Sequence, residues 1–348
     1  MRAKEWILER FPIDYQKFIE INEKIFIKEP IPYHMKKWFY AMGATPLIIF
    51  AFQVLTGILL TFYYIPSPEM AYESVRHITE DVRFGFLIRG IHRWGSNLMV
   101  IALFLHMVRV IFTRAYRPPR ELNWIIGVLL LLTTLTFAFT GYSLIYNQLS
   151  YWATTVGTNF FKAVPWVGDT ILNFLRGGEN VNPNTLTRFF TIHIGLLPPV
   201  MTFLIFLHIL VLRLHGVAEI EGREGEGHYP FYPSHFYKVI IATLFLITVM
   251  SALSVVLPPG IGEPATPDET PIHIKPEWYF YPVYRILKLL PLSIGIYSLV
   301  AGLIVLTFWP FIDEYFKRKM PKVKMNYVFG TLFVGLILIL TVWEAMVF

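Results

Sequence analysis

Long apolar stretches alternate with short polar ones along this chain. The stretches are too long and too uniformly apolar to be the one-sided stripes of helices packed in a water-soluble core. About seven of them can cross a hydrocarbon layer about 30 Å thick, near positions 42–64, 84–113, 121–145, 188–215, 237–258, 293–311 and 326–347. Two connections, about 146–187 and 258–292, are too long to be simple turns. The first holds enough apolar residues for short helices lying on a membrane. The second is proline-rich at its start and helical toward its end. Ahead of the first span, residues 1–36 are amphipathic and charged, which reads as a segment along the membrane surface rather than a cleavable signal.

Composition agrees with a membrane setting. Of 348 residues, 55% are hydrophobic and only 16% are charged, and the mean hydropathy is +0.52. A water-soluble domain of that size does not tolerate so little charge. The expected fold class is all-α integral membrane. The net charge of +6 does not point to nucleic acid, because the basic residues gather at span ends. Twenty Lys and Arg fall at one set of ends and 10 at the other. Positive charge is retained inside, so the N-terminus is expected inside and the C-terminus outside. The chain has no cysteine, which excludes iron–sulfur clusters, thioether-linked haem and disulfides within it.

Candidate chemistry lies in four histidines. His92 and His106 share the second span and His193 and His208 the fourth, 14 and 15 positions apart. Fourteen residues cover roughly 21 Å of helix and return to within roughly 40° of the same face. The two spans run in the same direction, so two His–His pairs are expected at two depths, His92 with His193 near the outer face and His106 with His208 near the inner one. Paired imidazoles among Leu, Ile and Phe suit axial ligation of haem iron. Single histidines are usually core residues; two pairs at matched spacing are not. Gly43 and Gly57 on the first span, and Gly127 and Gly141 on the third, repeat the interval of 14. Absent Cβ atoms there would let a flat macrocycle approach the helix, although helix packing through small residues is the simpler use.

Arg89, Arg109 and Arg188 lie within five residues of these histidines, where haem propionates would supply their partners. Glu277, in the run Pro276-Glu277-Trp278-Tyr279, sits in an apolar, aromatic loop beside the outer pair. Desolvation should raise the affinity of that carboxylate for a proton, so that it could accept one from a bound hydroxyl, with Tyr279 hydrogen-bonded to the same ligand. The expected organisation is a surface segment 1–36, a dihaem four-helix bundle 37–215, a linker 216–236 whose start (216–227) reads as mobile, and a three-helix domain 237–348.

The strings LIRGIHRWGSN, HMVRVIFTRAYRPPREL, GYSLIYNQLSYW, NTLTRFFTIHIGLLP and IGEPATPDETPIHIKPEWYFYPV resemble the cytochrome b subunit of quinol-oxidising cytochrome bc and bf complexes over nearly the whole length. The spacing of His193 and His208 and the seven spans are similar to the bf branch, with its four-span and three-span subunits fused at the linker. The resemblance implies two non-covalent haems b, a low-potential one on His92/His193 and a high-potential one on His106/His208. It implies quinol oxidation at Glu277 and Tyr279, with Tyr142, Trp152, Ala153 and Pro276 around them, and quinone reduction near Arg213 and Lys238. It further implies Q-cycle proton translocation in a prokaryotic cytoplasmic membrane, by a homodimer active only with a Rieske iron–sulfur protein and a c-type cytochrome.

Departures from the family pattern alter details. Ala41 stands where the bf branch has the cysteine of a third, covalent haem, so none is expected. Val239 replaces an aspartate beside Lys238, leaving His215 or His235 to deliver protons. Ile145-Tyr146 replaces a Pro-Trp pair. Two other readings stay open. A dihaem membrane anchor of a dehydrogenase or hydrogenase would need only the first four or five spans and leaves the PEWY run unexplained. A non-redox transporter would bind no haem.

Overall fold

The structure, a computed structural model, describes residues 6, 30–221, 225–271 and 274–347. As far as residue 29, Trp6 apart, the expected surface segment lies outside the described residues, as does the side chain of Ala41. Six helices are long and apolar enough to cross a membrane, and a bent pair makes a seventh path.

Four of the long helices form a bundle: α1 (Ala44–Thr61), α3 (Gly85–Phe112), α4 (Glu121–Ser143) and α7 (Pro183–His215). Helix α1 packs on α3, and α4 on α7. Gln53 Nε2 donates to the His92 carbonyl at 3.0 Å, tying α1 to the helix that bears two histidines. A π-turn over Ile192–Leu196 interrupts α7 just before Pro198 and Pro199. Those prolines cannot donate to carbonyls one turn back, so the ladder must readjust there. The interruption includes His193.

Short helices occupy the connections at one end of the bundle. Helices α5 (Gln148–Asn159) and α6 (Gly168–Arg176) fill the first long loop as expected. Asn147 and Ser150 start α5 with a reciprocal capping box, and Asn182 and Thr185 do the same for α7. The sequence reading missed α2 (Ala71–Glu80), whose Ala71, Ser74, Val75 and Ile78 make a buried stripe at helical spacing.

The remainder contains α8 (Phe236–Val256), α9 (Tyr281–Leu289), α10 (Leu292–Thr307), α11 (Trp309–Lys319) and α12 (Met325–Met346). Helix α8 packs on α3, and α9 on α12. The span expected near 293–311 is broken: α10 and α11 meet at 66°. Pro310 in the first turn of α11 cannot continue the hydrogen-bond ladder. Asp313, Glu314 and Lys317 would also be costly at membrane depth, so α11 turns aside. Trp309, at the bend, stacks on Phe329 of α12 at 3.7 Å.

The linker begins as a held segment rather than a mobile one. Arg120 donates to the carbonyls of His215 and Gly216, and Arg117 to that of Glu219. The Glu221 carboxylate meets Arg114 at 3.0 Å and Lys317 at 2.8 Å, and Arg114 also reaches buried Asp313 at 2.7 Å. Beyond Gly227, a strand β2 (His228–Pro230) pairs antiparallel with β1 (Pro30–Pro32). A run of Gly and Glu is flexible only until arginines bond its carbonyls, and the sequence does not show those partners.

Candidate functional site

The bundle brings the four histidines together in two pairs. The rings of His92 and His193 lie 6.4 Å apart between centroids, at 73°. Those of His106 and His208 lie 6.5 Å apart, at 74°. One metal ion bonded to both rings fits that gap: two bonds of about 2.0 Å and about 1.2 Å from each nitrogen to its ring centre come to about 6.4 Å. The four glycines stand opposite these rings, one to each. A Cβ added at Gly57, Gly43 or Gly127 would lie 3.4, 3.4 and 3.7 Å from Cε1 of His92, His106 and His208, whereas at Gly141 it would lie 2.6 Å from Cε1 of His193. The imidazole is thus the nearest group to each glycine, and only at Gly141 does the missing Cβ make room for it.

Each pair opens on a cavity. The first, about 470 Å³, lies at the end of the bundle that carries Glu277 and is lined by His92, His193, Arg89, Arg93, Tyr142 and Tyr279. The second, about 260 Å³, lies at the linker end and is lined by His106, His208, Arg109, Arg120, Asn123 and His235. Both walls are mostly apolar with a few polar groups, the usual make-up of a site for a flat or long apolar ligand.

Expected site residues part company here. Glu277 is not a lone carboxylate: Arg93, next to His92, holds it at 2.7 Å. Arg93 faces the cavity, and Glu277 stands behind it. Tyr279 is buried, and that burial pushes its hydroxyl well above the ordinary phenol value, so it remains a neutral hydrogen-bond donor. Trp278 Nε1 donates to Asn97 Oδ1 at 2.7 Å, which pins the loop to α3. Trp152, Ala153 and Pro276 lie outside the cavity wall.

The arginines differ too. Arg89 lines the cavity, but its guanidinium already donates to the carbonyls of Pro259 and Gly260 at 2.7–3.0 Å. Arg188 is bonded to the carbonyls of Asn173 and Phe174, away from the cavity. Arg109 is buried in the wall of the linker-end cavity. Arg213, His215 and Lys238 lie outside that wall. The Lys238 ammonium instead bonds the carbonyls of Met35 and Lys36. Of the two histidines expected to move protons, His235 lines the cavity, with Tyr229 Oη 3.0 Å from its Nδ1.

Sequence reasoning overlooked two threonines. Thr56 Oγ1 lies 2.9 Å from His92 Nδ1, and Thr140 Oγ1 lies 3.0 Å from His193 Nδ1. Both precede a glycine of the repeat, so a Thr-Gly pair recurring before Gly57 and Gly141 was the available signal.

Comparison with known proteins gives the family. A model of the family "Cytochrome b/b6/petB" matches residues 26–216, and one of "Cytochrome b(C-terminal)/b6/petD" matches residues 264–347. The chain is 37% identical over 350 residues to a cytochrome bc complex cytochrome b subunit of Chlorobaculum thiosulfatiphilum, covering 97% of this chain and 79% of that one. It is 32% identical over 347 residues to cytochrome b/c1 of Bradyrhizobium diazoefficiens, spanning 97% of this chain and only half of that protein's length. Among solved structures, a chain of a hyperthermophilic respiratory Complex III superposes with a TM-score of 0.77 at 28% identity, covering 97% of this chain and 96% of that one. With imidazoles paired at two levels and both family models matched in order along one polypeptide, the chain belongs to the cytochrome b family, joining a b6-like N-terminal part to a petD-like C-terminal part.

Proposed function

We propose that this chain is the dihaem cytochrome b subunit of a quinol:cytochrome c or plastocyanin-type oxidoreductase. In this reading it oxidises quinol at the Glu277 end, reduces quinone at the linker end and couples the two to proton translocation. The observation that carries the reading is the pairing of imidazoles at two levels of one bundle, each pair opening on its own cavity. His92 with His193, and His106 with His208, would each hold one haem b, which supplies one-electron transfer when bound.

The protein's own groups account for the rest. At the Glu277 end, Tyr279 offers a hydroxyl to a quinol head group in the cavity it lines. Glu277 is the acceptor for a quinol proton, and Arg93 holds that carboxylate at the cavity edge until it rotates inward. Tyr142 lines the same cavity. At the linker end, His235 delivers a proton to bound quinone, with the buried Tyr229 hydroxyl orienting the ring. Arg109 and Arg120 make that cavity favourable for developing negative charge on quinone oxygens.

Charge at the helix ends supports a choice of sides. The linker end carries the arginine-rich connection Arg109–Arg120 and the lysines of α11, which supports reading it as the inner face of a prokaryotic cytoplasmic membrane and the Glu277 end as the outer face. A chain without cysteine obtains its iron–sulfur cluster and its c-type haem from partner subunits, here a Rieske protein and a c-type cytochrome around a homodimer. The test is purification of the intact complex with haem and subunit analysis. Two haems b per chain and quinol oxidation that needs the Rieske partner are expected. Quinol-driven haem reduction with no such partner would establish a dihaem anchor, and a colourless protein would sink both.

A further inference from the structure

The two histidine pairs have nearly the same ring separation but different hydrogen bonding behind the rings. Thr56 Oγ1 donates its one proton to the Phe52 carbonyl at 2.6 Å, and Thr140 Oγ1 donates to the Thr136 carbonyl at 2.8 Å. A hydroxyl that has spent its proton this way faces any other neighbour as an acceptor. The neighbours are His92 Nδ1 at 2.9 Å and His193 Nδ1 at 3.0 Å. Both imidazoles therefore carry their proton on Nδ1 and leave Nε2 bare. No side chain among the described residues does this at the other end. His106 Nδ1 and His208 Nδ1 are buried without a side-chain hydrogen-bond partner. Main-chain groups do not make the difference, since Asn123 stands beside His208 as Gln53 does beside His92 and Phe137 beside His193; the two hydroxyls do. The residues that precede Gly43 and Gly127, at the places Thr56 and Thr140 take before Gly57 and Gly141, are Met42 and Ile126.

We infer that Thr56 and Thr140 are positioning residues for the ligand pair at the Glu277 end, fixing the tautomer of His92 and His193 and making both stronger electron donors to iron than His106 and His208. An acceptor on Nδ1–H pushes electron density toward Nε2, and a ligating imidazole so polarised favours the ferric over the ferrous ion. The haem at the Glu277 end is on this account made more reducing by two hydroxyls, while the other is not. The inference rests on the dihaem reading and adds a cause for a difference between its two centres.

The experiment is a redox titration of the intact complex carrying Thr56→Val, Thr140→Val or both, followed by haem b absorbance and by the low-spin ferric EPR signal. Valine matches threonine in shape and lacks the acceptor. In the double variant, the reduced-to-oxidised ratio of the Glu277-end haem at fixed potential should rise about tenfold, a shift of about 59 mV for one electron. Its EPR signal should move, the other haem should stay put, and Thr→Ser should restore the original value. Two bound haems with unmoved potentials, or an equal shift in both, would overturn the inference. If the valine variants fail to assemble, Ile126→Thr asks the same question at the other pair. There a lower potential for the His208 haem is the supporting result and an unchanged one the contrary result. Fewer than two haems b per wild-type chain would instead defeat the dihaem reading, so the two failures are distinguishable.

Discussion

The two ends of the four-helix bundle are alike where the helices repeat and unlike where the loops meet them. Ring separations of 6.4 and 6.5 Å and ring angles of 73° and 74° are as close as two copies of one design. Around them little else is shared. One end has a 470 Å³ cavity lined by Tyr279 and by Arg93, which holds Glu277 behind it. The other has a 260 Å³ cavity closed by the linker and by His235. Helices with a 14-residue interval, or 15 where the π-turn interrupts α7, duplicate a metal-holding geometry almost automatically. What each copy can do is then decided by the segments at the helix ends, which do not repeat.

That contrast can be broken most severely by removing one ligand. His92→Leu should abolish haem at the Glu277 end and leave the other, so haem b absorbance per chain should fall by half. Loss of both haems would mean that the pairs are not independent.

Next in size is a pair of matched glycine substitutions. Gly141→Ala places a methyl group 2.6 Å from the His193 ring and should cost about 1–3 kcal/mol of overpacking, lowering haem retention at that end. Gly127→Ala meets His208 at an ordinary 3.7 Å and should be tolerated. Thermal release of haem from the two variants measures the difference, and equal behaviour would count against the asymmetry.

Smaller again is Arg93→Gln, which leaves the Glu277 carboxylate without its guanidinium. Quinol oxidation should slow about tenfold or more, because the proton-accepting carboxylate loses the group that positions it. Electron entry from the quinone side, assayed by haem reduction with quinol oxidation blocked, should be unaffected.

The smallest effect belongs to the linker. Lys317, with Arg114, holds the Glu221 carboxyl down at about 2 from its ordinary 4.5. A lowered value stabilises the fold fully above pH 4.5 and loses that contribution as pH falls toward 2. The pair is half exposed, so the effect should stay below about 1 kcal/mol. A slope in melting temperature over that range, diminished in Glu221→Gln, is the expected result.

How far the sequence revealed these features depends on whether a feature repeats. His92, His106, His193 and His208 were legible because a helix converts spacing into depth, and the glycines because they echo that interval. Thr56 and Thr140 were visible as recurring Thr-Gly pairs, but a threonine in an apolar span ordinarily bonds its own helix. The Arg93–Glu277 pair spans 184 residues and two elements, so no local pattern encodes it. Arg89 and Arg188 were assigned to propionates because both lie near ligands, but a guanidinium takes whatever carbonyls folding brings to it, here those of Pro259, Gly260, Asn173 and Phe174. The broken span at Pro310 was written in the chain, and the apolar run masked it.

The arginine clasp has an evolutionary reading. Arg114, Arg117 and Arg120 grip 215–221 through carbonyls and a carboxylate, and β1 grips the strand that follows Gly227, so neither contact depends on an unbroken peptide between Glu221 and Gly225. Scission there would cost the halves only their tethered proximity, a matter of effective concentration. A gene for this protein could therefore divide at that place, or two genes could merge there, without any remodelling of the surfaces that hold the halves together.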